Sequence, residues 1–97
     1  MNTYKTQFFA RCPSNGIRIT YSLTINTGSL IEVERIIEAV TSIGEGLHED
    51  IADRLLRELG GQQVLKADHH GVQIETIRPH LAHWSPTHQP TKEAEKP

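Results

Sequence analysis

The chain has 97 residues, enough for one compact domain near the lower end of what buries a self-sufficient core. Ten Lys plus Arg stand against twelve Asp plus Glu, a formal charge of −2 with no basic block, so no nucleic-acid partner is expected. One cysteine rules out an intramolecular disulfide, and no stretch approaches the roughly 18 apolar residues of a membrane span. With no leader-like apolar run in MNTYKTQFF, a cytoplasmic protein without a membrane partner is expected.

In chain order, YKTQFFA reads as a strand and CPSNG as a hairpin turn. In GIRITYSLTIN, Ile17, Ile19, Tyr21, Leu23 and Ile25 alternate with polar residues, the pattern of a strand with one face on a core. Ser29 and Glu32 match a capping box. Val33, Ile36, Ile37 and Val40 then mark one stripe of a helix that stops near Gly44 and Gly46. A second stripe at Leu47, Ile51, Leu55 and Leu59, widened by Ala52 and Leu56, ends at Gly60-Gly61. QQVLKA and GVQIETI, joined by DHHG, predict a second hairpin. The order is β-β-α-α-β-β, an α+β domain over 1–78. The proline- and histidine-rich segment 79–97 lacks apolar periodicity and is predicted to be a mobile tail.

Three places carry candidate chemistry. Cys12 is either a small buried apolar residue or a nucleophile; Arg11 beside it and the turn after it favour the second reading. In GLHED, Glu49 and Asp50 suit the positive end of a helix, with His48 simply polar and exposed. Alternatively, His48 is an acid or base and Glu49 binds a ligand through its N–H donors. His69 and His70 in DHHG, like His80, His83 and His88 in the tail, lack metal-ligand spacing, so no metal site is expected.

FFARCPSNG, an alternating strand, a helix, GLHED opening a second helix and a closing hairpin together resemble the 7-cyano-7-deazaguanine (nitrile) reductases of the queuosine pathway. That family has the tunnelling fold, so the resemblance implies a β-β-α-α-β-β unit, an antiparallel sheet with two helices on one face. Cys12 matches the cysteine that adds to the substrate nitrile, and His48 and Glu49 match the pair that assists proton transfer and holds the deazapurine. Two features depart from the reductases. Gly16 leads directly into Ile17, where the family carries an aspartate that protonates the nitrile nitrogen, and IEVERIIEAV is an ordinary amphipathic helix in place of the nicotinamide segment. NADPH is therefore not expected, and no other cofactor is implied.

The expectation is a purine- or pterin-like heterocycle held by Glu49, with Cys12 able to react covalently. The resemblance also implies a homo-oligomer, and the unpaired edges of a four-stranded sheet are a separate reason to associate. The alternative is a non-catalytic interaction or accessory protein on the same scaffold.

Overall fold

The computed structural model describes residues 1–80. Its elements are β1 (Asn2–Arg11), β2 (Arg18–Thr27), α1 (Val33–Thr41), α2 (His48–Leu59), β3 (Gln62–His69) and β4 (Val72–Arg78). The strands pair antiparallel in the order β1-β2-β3-β4. Of the expected tail, everything beyond His80 lies outside the described residues, His83, Trp84 and His88 included. No helix among the described residues is long and apolar enough to cross a membrane.

Side chains alternate across a strand, so register decides which residues share the core. Ile19, Tyr21, Leu23 and Ile25 are all buried. Opposite them stand Ala10, Phe8, Thr6 and Tyr4 on β1, and Ala67, Leu65 and Gln63 on β3 pair with Tyr21, Leu23 and Ile25. Both helices cover this face: Ile36, Ala39 and Val40 of α1 and Ile51, Ala52 and Leu55 of α2 are buried against it. The other face is polar and open, with the Arg18 guanidinium lying 3.8 Å over the Phe9 ring. Ile17, expected on the buried stripe, is 46% exposed because it precedes the strand in the turn.

The capping box does not form. The N-cap of α1 is Glu32, without a side-chain cap bond, and the Ser29 N–H donates to Thr27 Oγ1. The cause lies in the core. The Ile31 N–H donates to the Tyr4 hydroxyl at 3.1 Å while its side chain is buried, which keeps the chain extended until Val33. Val33 and Ile37, expected on the buried stripe, are consequently exposed, and the stripe that does face the sheet runs through Ile36, Ala39, Val40 and Ile43.

The second hairpin is tighter than its sequence suggested. Asp68 and His69 belong to β3, leaving His70 and Gly71 as a two-residue turn with φ of 55° and 88°. Positive φ at both positions matches the twist of the flanking strands. The Gly71 N–H donates to Asp68 Oδ1.

Gly61 is a close approach rather than a mere helix stop. Its φ is +76°, and an added Cβ would lie 2.9 Å from Ile25 Cγ2 and 3.0 Å from the Asn26 carbonyl oxygen. Gly71 has φ +88° with nothing within 4 Å. Gly61→Ala should therefore cost more than Gly71→Ala by about 1 kcal/mol or more in urea unfolding, the excess being the clash beyond left-handed strain. Equal costs would show that β2 yields freely at Ile25.

Candidate functional site

The turn carrying Cys12 is held by its own backbone. The Cys12 N–H donates to the Ile17 carbonyl at 2.9 Å, the Gly16 N–H to the Cys12 carbonyl at 2.7 Å, and the Ile17 N–H to Asn15 Oδ1 at 3.0 Å. Arg11 Nη1 donates to the Gly16 carbonyl at 3.0 Å, closing the turn from outside. Cys12 itself is half-buried and packs against the core.

A short link from the helices meets this end of β1. The Arg11 N–H donates to the Gly44 carbonyl at 2.9 Å and the Gly46 N–H to the Arg11 carbonyl at 3.2 Å, a parallel bridge centred on Glu45. The α1–α2 connection thus runs beside the strand end, two residues before α2 begins. Cys12 and His48, far apart in sequence, both lie near Tyr21 at this end of the sheet.

His48 is only 6% exposed, so it is neither the solvent-facing polar residue of one reading nor an open acid or base. Neither Nδ1 nor Nε2 has a hydrogen-bond partner. Burial holds its pKa below the ordinary 6.5. His69 and Arg78 act in the same direction; the nearby Leu65 backbone, out of hydrogen-bonding geometry, and Glu49 oppose them. The ring lies 5.6 Å from Tyr21 and 6.3 Å from His69, centroid to centroid. Tyr21 stacks on Phe8 at 5.2 Å, and its buried hydroxyl also lacks a partner. Burial, and secondarily Cys12, raises the phenol above its ordinary 10.0.

Glu49 faces the other way. Its side chain is 80% exposed and lies 3.6 Å from Nη2 of Arg78, whose own side chain is 8% exposed. Arg78 Nε donates to Asp53 Oδ1 at 2.6 Å and Nη1 to the Ile77 carbonyl at 3.1 Å. That hydrogen bond holds the Asp53 carboxyl below its ordinary 3.8. Glu49 and Asp53, one helical turn apart, therefore flank one guanidinium. Sequence reasoning missed Arg78, Asp53 and Tyr21 as site neighbours. The signal for Arg78 was the alternation Val72, Ile74, Thr76, Arg78, which puts it on the face β4 turns toward α2.

Two surface hollows of about 400 Å³ each lie elsewhere, one between α1 and α2 around Arg35 and Arg57, the other on the open sheet face around Ser22 and Lys66. Among the described residues, no three or more His, Cys, Asp and Glu side chains are grouped to hold a metal ion.

No family model and no curated protein matches the chain. The crystal structure of the archaeosine synthase QueF-Like in the apo form is similar, with a TM-score of 0.58 and 20% identity over 78% of this chain and 88% of that one. The fold is a tunnelling-fold-like unit. At this identity the likeness concerns the backbone: four antiparallel strands with two helices inserted after the second. In this tunnelling-fold-like unit, the α1–α2 link, β1 and the start of α2 converge on the end of the sheet that holds Cys12.

Proposed function

We propose that the protein binds a purine- or pterin-like heterocycle at the Cys12 end of the sheet and reacts with a nitrile on it. Glu49 accepts hydrogen bonds from the N–H edge of the heterocycle, a charge-assisted pairing. Cys12 adds to the nitrile carbon: the S–C bond forms, one π bond of the nitrile breaks, and the thiol proton is matched by a proton gained at nitrogen. The product is a thioimide, and its formation needs no nicotinamide. Self-association through free sheet edges belongs to the same reading, since Glu49 is open to a neighbouring subunit.

The observation that supports the reading is the backbone bridge of Arg11 with Gly44 and Gly46, which brings the segment leading into His48 alongside the strand end that precedes Cys12. The burial of His48 favours a second reading, a non-catalytic interaction protein on the same scaffold.

Intact-protein mass spectrometry with an absorbance titration of 7-cyano-7-deazaguanine separates the two. The wild type should gain the full mass of the nitrile, because addition expels nothing. Cys12→Ala should bind without gaining mass, and Glu49→Ala should lose binding while unfolding at an unchanged temperature. Absence of both binding and adduct in the wild type would favour the non-catalytic scaffold.

A further inference from the structure

The buried side-chain polar atoms without hydrogen-bond partners among the described residues are the Tyr21 hydroxyl, Nδ1 and Nε2 of His48, and Nε2 of His69. They are not scattered. They belong to three neighbouring rings, with His48 5.6 Å from Tyr21 on one side and 6.3 Å from His69 on the other. Register explains the grouping. His69 lies two residues beyond Ala67, which pairs with Tyr21, so both rings point to the face covered by the helices, and His48 is the first residue of α2 above them. Buried polar atoms are nearly always paired, so four unpaired ones at one place call for a role.

Cys12 belongs to the same neighbourhood. It lies near enough to Tyr21 to perturb the phenol. The turn that carries it is joined to the turn after His69 by Asn15 Nδ2 and His70 Nε2, 3.5 Å apart. Two separate hairpins thus bring a thiol and two imidazoles to one end of the sheet, although their sequence positions span β1 to β3.

We propose that the buried His48 ring takes the thiol proton of Cys12 and returns it to the product, with His69 the positioning residue that holds the His48 ring in place for the exchange. The charged and titratable groups around His48 are Glu49 beside it on α2, Tyr21 on β2 and Arg78 on β4; the Leu65 backbone and His69 face it from β3. Burial, His69 and Arg78 oppose a proton on His48, whereas the Leu65 backbone and Glu49 favour one. The His48 and His69 rings are too far apart for a direct hydrogen bond, so passage of a proton between them requires a water in the gap.

Resting on the nitrile reading, the relay balances. As the S–C bond forms, the thiol proton passes to His48. The nitrile nitrogen, which receives the electron pair of the broken π bond, takes a proton back. His48 ends with the proton count it began with, and no separate carboxylic acid is required.

Proton NMR of the His48 ring as a function of pH, in wild type, His69→Phe and His69→Gln, tests the coupling without any ligand. The His48 midpoint should rise in both variants, because the contribution of His69 that lowers it has been removed. A midpoint unmoved in both overturns the inference. The rate of adduct formation with 7-cyano-7-deazaguanine is then followed by mass spectrometry. It should fall by about 100-fold in both variants at unchanged affinity. An unchanged rate overturns the relay while leaving the heterocycle reading in place. A wild type that forms no adduct overturns that reading, and the transfer with it.

Discussion

His48→Leu should make the protein more stable and less reactive at the same time. The substitution removes two buried ring nitrogens that have no partner and puts an apolar side chain on the stripe of Ile51, Ala52 and Leu55. A buried polar group left unpaired costs about 1–3 kcal/mol, and replacing it with an apolar group of similar size recovers part of that. The urea midpoint should therefore rise by an amount equivalent to about 1 kcal/mol, while the rate of the proposed nitrile addition falls by about 100-fold or more. A loss of stability instead would identify His48 as a structural residue. The effect depends on pH in a definite direction. Burial lowers the folded-state pKa, so above the ordinary 6.5 the ring is neutral whether folded or unfolded. As the pH falls through 6.5 the unfolded chain takes up the proton first, and stability declines until the folded ring also protonates. His48→Leu should flatten that part of the profile. A separate fall belongs to Asp53, whose lowered pKa contributes stability above 3.8 that is lost as the pH drops below it.

Leu55→Ala should have the largest effect on the fold itself. Leu55 is fully buried at the centre of the α2 face that meets the sheet. Such truncations cost about 2–5 kcal/mol, and the cost grows when the surroundings cannot close on the cavity. Closure is restricted here, because Gln63 Nε2 donates to both the Leu55 carbonyl at 3.1 Å and the Gly60 carbonyl at 2.7 Å, tying the helix backbone to β3. The loss should fall in the upper half of that range. Against a total of about 5–15 kcal/mol, calorimetry should show the melting temperature fall by more than 10 °C, at about 4 °C or more per kcal/mol. Leu56→Ala, at a half-exposed position on the same helix, should cost much less. Equal losses at the two positions would contradict the docking of α2 on the sheet.

The strands were legible because alternation and burial have the same period. Ile19 to Ile25 announced β2, and pairing then fixed the inner residues of its neighbours. The start of α1 was not legible. Ser29 and Glu32 form a good local cap pattern, but the contact that overrode it, from the Ile31 N–H to the Tyr4 hydroxyl, joins residues 27 positions apart. His48 was misread for a different reason. Leu47 is apolar and was assigned to the stripe, whereas the positions that face the sheet are 48, 51, 52 and 55, so a histidine fills a core position and Leu47 is exposed. Three- and four-residue spacing back from Ile51 and Leu55 marks position 48 as a core position whatever residue fills it. The pairing of Glu49 and Asp53 with Arg78 depends on how α2 lies across β4, which no local pattern encodes.

The bridge at Arg11 also acts as an end stop. Its N–H and carbonyl both point away from β2 and are already taken by Gly44 and Gly46. By the two-residue repeat of a strand, the outward-pointing groups left on β1 are those of Thr3, Lys5, Gln7 and Phe9. A visiting strand can slide along that edge only until it meets the Gly44–Gly46 segment. The fold thus carries its own ruler: any strand added at this edge would be limited in how far along the sheet it reaches and would be kept clear of Cys12.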